Sequence, residues 1–382
     1  MKIILFGGAF NPVHNEHVAM LKAAISAIGA DKVIIMPTAV SPHKTGQMTA
    51  SPAARLEMCR LAFSDLGEVS DFEVNKGGAS YSYITCEYLR HKYPDDEIYF
   101  FMGADMFACF ADWVYPERIL KNVKVATCER EGSAGVAQSQ QKFKQQFGEE
   151  ALVVSYTGAA VSSTRVRTAA AIGADISAYV PAEIDRYIKK SGLYLVPELA
   201  KAQKLLTDKR AAHTLRVAFM AAENCRRLKI PEKKAVTAAA LHDAAKYLKL
   251  SDKRLRGFVP PEDVPENVMH QYTGAYLAEH EFGVTDEDIL NAIRYHTSGR
   301  AGMSPLEKLI FLSDMLEEGR DFVGVDALRE IFSRDIDECL EAALKEQLDY
   351  LIEEKRHIYP LTQAAYDYIC EYRKNKNKGN VE

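Results

Sequence analysis

The sequence has little that would mark a secreted, membrane-spanning or strongly charged protein. Its 382 residues include seven cysteines, an odd number without a C-x-x-C pair, which favours reduced thiols over disulfides or a zinc ribbon. No apolar run approaches the roughly 18 residues of a membrane-spanning helix, and the run before Gly7 is too short for a signal-peptide core. A net charge of −5 gives no basic field for nucleic acid. We therefore expect a cytoplasmic protein with no membrane or nucleic-acid partner, while its oligomeric state stays open.

The composition is that of a globular protein, with 47% hydrophobic and 26% charged residues. The length argues for two domains, with three as the alternative. Strand-like segments such as 2–6 alternate with helical ones such as 82–93 up to about residue 190, which predicts an α/β domain with a parallel sheet. Almost every later segment has helical periodicity, which predicts an all-α helical bundle. We place the two domains at 1–193 and 200–375.

The stretch GGAFNPVHNEH, residues 7–17, follows the first predicted strand. Ligands of an open parallel sheet bind beyond the carboxyl ends of its strands, and Gly7 and Gly8 have no Cβ to keep a phosphate from the backbone. The N-terminus of the helix that follows favours an anion at the same place. His14 and His17 share one face of its first turn and can stabilise a departing polyphosphate. A purely structural or capping pair is the alternative.

A second stretch, VSSTRVR at residues 161–167, follows the last strand-like run of this half. Its hydroxyl groups can cap a helix and hydrogen-bond a nucleotide, and Arg167 can reach phosphates as a charged fork. A plain N-cap with an exposed basic turn is the alternative. Together the two stretches resemble the H-x-G-H and S-S-T-x-[IV]-R motifs of the nucleotidyltransferase superfamily. The likeness is closest to bacterial nicotinate-nucleotide adenylyltransferases over about residues 1–193, supported by PHK (42–44), GADMF (103–107) and Trp113.

The resemblance implies a Rossmann-like domain that joins the AMP part of ATP to nicotinate mononucleotide, releases pyrophosphate and uses Mg²⁺. Direct attack by the acceptor phosphate needs no protein nucleophile, so positioning and charge stabilisation carry the catalysis. By the same resemblance His14 and His17 bind the ATP phosphates, with His17 nearest the transition state. Lys44 and Arg167 would add positive charge. The implied nucleotide-binding residues are Gly7, Gly8, Ala9, Phe10, Gly103, Asp105, Ser162, Ser163 and Thr164, and Tyr81, Ser82 and Trp113 would frame the nicotinate. Trp113 as core filler is the alternative.

One position departs from this family pattern, because Glu16 stands where the first motif has glycine. A carboxylate in a first helical turn suits the helix dipole. Beside a triphosphate it repels unless it points away or meets Mg²⁺. The motifs bind ATP and do not identify the acceptor, so nicotinamide mononucleotide, phosphopantetheine and a sugar phosphate stay open as alternatives.

The second half carries histidines and aspartates on successive predicted helices: His213, His242, Asp243, His270, His296 and Asp314. Each interval is about one helix plus its connection, so these side chains could converge in a bundle core. Imidazoles and carboxylates together suit a first-row transition metal such as Fe or Mn. The segments HTLRVA, ALHDAAK, HQYTGAYLA, AIRYHTSGRAGMS and FLSDMLEEGR resemble the HD-domain phosphohydrolases. More narrowly, over about residues 200–375, they resemble bacterial HD hydrolases that cut diadenosine tetraphosphate symmetrically to two ADP.

This second resemblance implies two metal ions. His213, His242, Asp243 and Asp314 would hold one, while Asp243, His270 and His296 would hold the other, so that Asp243 bridges them. Two metals can lower the pKa of a bound water and clamp the phosphates around the attack. Lys246, Arg300 and Arg320 are the expected phosphate contacts, with ordinary surface charge as their alternative role. We therefore predict a bifunctional enzyme, against the rival hypothesis that the HD half only senses a nucleotide.

Overall fold

A computed structural model describes residues 1–40, 47–130, 135–158 and 161–379. The chain divides into two compact units. One comprises the described residues within 1–45, 49–167 and 176–194, and the other those within 46–48, 168–175 and 195–382. The domain boundaries predicted at 1–193 and 200–375 stay a proposal, because the second unit also draws on a segment before residue 193.

The first unit is built on a six-stranded parallel sheet in the order β3-β2-β1-β4-β5-β6. The strands are β1 (Lys2–Gly8), β2 (Lys32–Pro37), β3 (Glu68–Val69), β4 (Glu97–Met102), β5 (Lys124–Arg130) and β6 (Leu152–Tyr156). The direction in which strands are added reverses between β1 and β4, which opens a crevice at their carboxyl ends. The predicted α/β parallel sheet is confirmed.

Helices connect these strands and continue to residue 191. They are α1 (Asn15–Ile28), α2 (Pro52–Phe63), α3 (Phe72–Lys76), α4 (Ser82–Lys92), α5 (Ala104–Ala108), α6 (Pro116–Leu120), α7 (Val136–Phe147), α8 (Ser163–Ala171) and α9 (Ala182–Ser191). Residues of β1 such as Ile3, Ile4 and Leu5 are at most 1% exposed. Both faces of this strand are therefore covered, which explains its continuous apolar run.

The second unit is helical, as predicted. Its helices are α10 (Pro197–Gln203), α11 (Asp208–Asn224), α12 (Glu232–Leu241), α13 (Glu266–His280), α14 (Glu287–Arg294), α15 (Pro305–Leu316), α16 (Val325–Arg334), α17 (Ile336–Glu353) and α18 (Pro360–Gly379). Alanines of α12 such as Ala235, Ala238 and Ala239 are fully buried. Their small side chains let neighbouring helices approach closely, which brings the side chains beyond the end of α12 into the centre of the unit. Within the described ranges, no helix is both long and apolar enough to cross a bilayer.

Candidate active sites

A cleft with about 980 Å³ of empty space, open to solvent, lies at the carboxyl ends of β1, β2 and β4. Its lining includes residues predicted for nucleotide and acceptor binding: Gly7, Gly8, Ala9, Tyr81, Ser82, Gly103 and Trp113. Trp113 also packs on Phe100 and Phe110, with ring centroids 5.9 and 5.4 Å away. It therefore combines the core role and the cleft position that were predicted as alternatives. Lys44 lies outside the described residues.

The two glycines at the end of β1 are required by their neighbours. A Cβ on Gly7 would lie 3.2 Å from the Phe100 ring, and one on Gly8 would lie 3.0 Å from the Phe10 ring. Both distances are tighter than ordinary carbon contacts. The aromatic side chains can pack against the end of the strand only because the two residues there have no Cβ.

The histidine pair forms the head of α1. His14 is the N-cap residue, and its backbone N–H donates to Nδ1 of His17 at 3.2 Å. The two rings stack with centroids 3.6 Å apart and planes at 22°. Because Nδ1 of His17 accepts this hydrogen bond, the neutral imidazole carries its proton on Nε2. The pair is thus both a helix cap and a fixed donor, and its contact with phosphate stays a prediction.

Residues of the second motif, VSSTRVR, form hydrogen bonds with the loop of the first motif, GGAFNPVHNEH. Arg167 is 1% exposed and donates from Nη1 to the Asn11 carbonyl at 2.7 Å. The Ser163 hydroxyl donates to the Pro12 carbonyl at 3.0 Å. The Asn11 side-chain oxygen in turn accepts from the Tyr194 hydroxyl at 2.8 Å. The loop that precedes His14 is therefore fixed by residues far away in sequence.

The remaining residues of the second motif have local partners as well. The Ser162 hydroxyl accepts from the backbone N–H of Arg165 at 3.2 Å, as an N-cap of α8 does. The Thr164 hydroxyl accepts from Nη2 of Arg167 at 3.1 Å. Asp105 lies in the first turn of α5, beside Gly103 at its N-cap. The nucleotide contacts predicted for these side chains stay predictions.

Arg55 of α2 is an anchor that the sequence analysis missed. Its guanidinium donates to the carbonyls of Ala9 at 2.7 Å, Ala39 at 2.6 Å and Ala50 at 3.3 Å. The side chain is 3% exposed, and this burial lowers the pKa of Arg55 from its ordinary value. A single arginine in a helical segment carries no sequence signal for such a role, since arginines on helices are usually solvated.

Glu16, which replaces the motif glycine, forms a hydrogen bond with a residue of the edge strand β6. Its carboxylate is buried and accepts from the Tyr156 hydroxyl at the end of β6 at 2.9 Å. A Cβ on Gly158 would lie 2.4 Å from Oε2 of Glu16. The chain therefore has a glycine where the extra carboxylate needs space.

Glu73 of α3 lines the cleft and was also missed by the sequence reasoning. Its Oε1 accepts from the Thr85 hydroxyl at 2.5 Å, and Oε2 has no hydrogen-bond partner among the described residues. Burial raises the pKa of Glu73 above its ordinary value, against the effect of the hydrogen bond from Thr85. The wall of the cleft near α4 therefore contains a carboxyl group with a weakened tendency to ionise.

In the second unit, the predicted metal ligands converge on Asp243. Nε2 of His242 lies 3.4 Å from Oδ2 of Asp243, and Nε2 of His213 lies 4.0 Å from the same oxygen. Oδ1 of Asp243 lies 3.4 Å from Nε2 of His270 and 3.7 Å from Nε2 of His296. Two sets of ligand atoms lie close enough to share an ion: His213, His242 and Asp314, and His242, Asp243 and His296.

Backbone hydrogen bonds orient these imidazoles toward the shared centre. Nδ1 of His242 donates to the Ala239 carbonyl at 2.7 Å, and Nδ1 of His296 donates to the Ile293 carbonyl at 2.7 Å. In the neutral form each Nε2 then carries a lone pair, the state that binds metals. Nε2 of His242 and Oδ1 of Asp243 are buried without a hydrogen-bond partner among the described residues. Such orphaned polar atoms fit a metal centre, because burial without a partner is otherwise costly.

The electrostatics of the cluster favour the ligating forms of Asp243 and His270. Although burial lowers the pKa of His242, the charge of Asp243 prevails and raises it above its ordinary value. Burial opposes ionisation of Asp243, but attraction to the positive charges that His242 and His296 carry when protonated prevails and holds its pKa far below the ordinary value. Burial, with the charges of His296 and Lys246, lowers the pKa of His270 to about 2. The aspartate is therefore ionised and His270 is neutral near pH 7.

Glu317 is a supporting residue that the sequence analysis missed. Its Oε1 lies 3.0 Å from Nδ1 of His213, and its Oε2 accepts from Nε of Arg216 at 2.5 Å. Although burial raises the pKa of Glu317, the hydrogen bonds from Arg216 and His213 prevail and lower it to about 2. An ionised carboxylate behind a ligating histidine fixes the ring and raises its basicity.

The three predicted phosphate contacts differ in where they lie. Nζ of Lys246 lies 2.9 Å from Nε2 of His270, and Nη2 of Arg320 donates to Oδ1 of Asp314 at 2.8 Å. Arg300 instead forms a two-point pair with the buried carboxylate of Glu307, both contacts at 2.7 Å. Arg210, which was not predicted, donates to Oδ2 of Asp243 at 2.8 Å. The structure thus places Lys246, Arg320 and Arg210 at the cluster.

Comparisons with known proteins find a different family in each half of the chain. Residues 5–169 match the cytidylyltransferase-like family, and residues 210–319 match the HD domain family. A relative from Mycoplasma pneumoniae, named probable nicotinate-nucleotide adenylyltransferase/Ap4A hydrolase, is 31% identical over 352 residues, which are 90% of this chain and 98% of that protein.

Relatives that resemble only one half are also found. The symmetrical bis(5'-nucleosyl)-tetraphosphatase of Bacillus subtilis is 36% identical and covers 45% of this chain and 95% of its own length. A probable nicotinate-nucleotide adenylyltransferase of Clostridium tetani is 30% identical and covers 50% of this chain and 98% of its own length. The sequence resemblances that were stated for the two halves are confirmed.

Proposed function

Because this chain belongs to the nicotinate-nucleotide adenylyltransferase/Ap4A hydrolase family, we propose that it catalyses two reactions. The first unit transfers the AMP part of ATP to nicotinate mononucleotide and releases pyrophosphate. The second hydrolyses diadenosine tetraphosphate (Ap4A) to two ADP. The observation that supports this pairing is that two separate sets of predicted residues each come together in space, one around the cleft beside β1 and the other around Asp243.

In the transferase reaction the acceptor phosphate attacks the α-phosphorus of ATP, and the bond to pyrophosphate breaks. His17 is the proposed donor to the departing phosphates, because its Nδ1 is occupied by the His14 N–H and its Nε2 carries the proton. Arg167, Ser163 and Arg55 hold the loop before His14 and so act as positioning residues. Mg²⁺ enters as the ATP complex. The predicted contacts of Lys44 and Arg167 with phosphate belong to this proposal.

The acceptor is tested by comparing rates of adenylyl transfer to nicotinate mononucleotide, nicotinamide mononucleotide and phosphopantetheine. We expect nicotinate mononucleotide to be favoured, since the cleft wall presents the start of α4 at Tyr81 and Ser82, and a helix N-terminus favours a carboxylate. A preference for nicotinamide mononucleotide, whose carboxamide group is uncharged, would contradict this assignment.

In the hydrolase reaction the protein supplies the ligand set and the charges around it. Two metal ions, with Fe or Mn proposed, supply an activated water and a clamp for the phosphates when bound. His213, His242, Asp243 and Asp314 would hold one ion, and Asp243, His270 and His296 the other. Lys246 and Arg320 are the proposed phosphate contacts at the cluster, while Arg300 pairs with Glu307.

A nucleotide-sensing role without hydrolysis is the second candidate for this unit. The orphaned ligand atoms of His242 and Asp243 favour hydrolysis, since a sensor does not require buried atoms aimed at a metal. The test is metal analysis of the purified full chain together with chromatography of the Ap4A products. About two equivalents of metal and ADP as the only nucleotide product are expected. Metal-free protein that binds Ap4A without cleaving it would favour the sensor.

A further inference from the structure

A second cavity extends from the metal-ligand cluster, and most of its wall has no role in the reaction proposed above. Two of the proposed ligands, His296 and Asp314, form one part of its wall. The empty space measures about 1190 Å³ and opens to solvent. A cavity that begins at the reacting centre and continues beyond it has room for a part of the substrate that does not react.

The rest of the wall is mainly apolar and aromatic. Phe311 and Met315 of α15, Phe322 in the following loop, and Tyr350 of α17 contribute to it. Tyr350 is 47% exposed and Val323 is 95% exposed. Large apolar side chains left in contact with water beside a polar centre mark a binding surface more often than a structural one.

The cavity also contains charged side chains, and one of them lies beside a proposed metal ligand. Arg320 lines the cavity and donates to Oδ1 of Asp314 at 2.8 Å. Glu346 is exposed at the wall. The cavity thus combines an aromatic surface, a cation and metal ligands, which are the kinds of group that suit the base, the phosphates and the reacting phosphate of a nucleotide.

We infer that this cavity binds one nucleoside of the dinucleoside polyphosphate, with the base against Tyr350 and Phe322. This assignment rests on the proposed hydrolase function and adds a specific site for the part of the substrate remote from the cleaved bond. Arg320 holds the phosphates that link this nucleoside to the centre. Binding energy gained on the base then serves to place the phosphate chain at the metal ligands.

The test uses the full chain loaded with Mn²⁺ and compares wild type with Tyr350→Ala, Tyr350→Phe and Tyr368→Ala. Tyr368 is a matched control, since it is 46% exposed and does not line the cavity. The measurements are the KM for Ap4A, inhibition constants for ADP and for inorganic pyrophosphate, and bound metal. Loss of a stacking ring should raise the KM and the ADP inhibition constant about tenfold. Tyr350→Phe should behave as wild type.

Bound metal and inhibition by pyrophosphate should not change in Tyr350→Ala, because neither involves the base. Unchanged KM and ADP inhibition would overturn the nucleoside assignment, and so would an equal weakening of pyrophosphate, since Tyr350 would then act on the phosphate centre. Absence of Ap4A cleavage by metal-loaded wild type would instead remove the proposed hydrolase function, and this assignment with it.

Discussion

At the scale of single residues, Arg55 and Glu317 are buried charges whose partners are protein groups. Arg55 binds the carbonyls of Ala9, Ala39 and Ala50, and Glu317 binds His213 and Arg216. Arg55 belongs to no motif, and Glu317, although it lies in the segment FLSDMLEEGR, follows the expected ligand Asp314 without a signal of its own. The periodicity around both residues indicates only a helix or its end. The expected ligands could be found from the sequence because their residue types are rare and regularly spaced. The side chains that support those ligands are common types, and only the fold shows that they are buried.

We expect Arg55→Lys to destabilise the first unit by about 2–4 kcal/mol, because a lysine cannot reach three carbonyls and leaves buried acceptors without donors. Adenylyl transfer should fall, since the Ala9 carbonyl belongs to the loop behind the cleft. The measurement is urea unfolding together with both activity assays. Arg60→Lys on the same helix is the control, because the Arg60 side chain is 51% exposed. Equal stability of the two variants would contradict the anchoring role.

We expect Glu317→Ala to weaken metal binding about 10- to 100-fold, since the ring of His213 would lose the carboxylate that orients it. Ap4A hydrolysis should therefore fall at limiting metal and recover in part at high metal concentration. Metal titration followed by the hydrolase assay measures this. Glu318→Ala, at the exposed neighbouring position, should leave metal affinity unchanged. A loss of activity that excess metal does not restore would show that Glu317 acts otherwise.

At the scale of elements, the carboxyl end of β1 and the head of α1 could be predicted, because a buried apolar run, glycines and a polar helix start follow one another. Convergence of the HD residues could also be predicted from intervals of one helix each. The link between α1 and β6 could not be, since Glu16 and Tyr156 are far apart in sequence and nothing in either segment indicates the other. The strand β3 was missed because two residues, Glu68 and Val69, show no pattern.

The link between these elements predicts an interaction between two substitutions. Gly158→Ala would place a Cβ 2.4 Å from Oε2 of Glu16, so the carboxylate would have to leave Tyr156 and the head of α1 would shift. Adenylyl transfer should fall in the single variant and recover in Glu16→Ala/Gly158→Ala. Gly135→Ala is the control, because a Cβ there meets nothing within 4 Å. Additive effects of the two substitutions would contradict the proposed contact.

At the scale of the whole molecule, the chain folds into two units, and the second unit includes a segment that lies within the sequence of the first. Residues 168–175 belong to the second unit, and its core includes Ala171, Ile172 and Leu199. The change of sequence pattern near residue 193 indicated two domains but could not show this, because α8 is an ordinary helix in sequence. Fragment 200–375 lacks these three core residues.

We therefore expect fragment 200–375 to be less stable than fragment 163–375, which begins with α8. Loss of a buried Leu or Ile side chain costs about 2–5 kcal/mol, so the shorter fragment should have a clearly lower midpoint in urea. Ap4A hydrolysis by both fragments, measured below the unfolding midpoint, checks that the ligand cluster is preserved. Equal midpoints would support a boundary at residue 200.

The central claim is that one chain carries two chemically separate sites, and a crossed activity assay tests it most directly. Adenylyl transfer to nicotinate mononucleotide and Ap4A hydrolysis are measured for the wild-type full chain, His17→Ala and Asp243→Ala. Loss of one preorganised donor should lower transfer by roughly 10²–10³-fold in His17→Ala and leave hydrolysis unchanged. Asp243→Ala should lose metal and hydrolysis while keeping transfer. Loss of both activities in either variant, or of neither, would contradict the account.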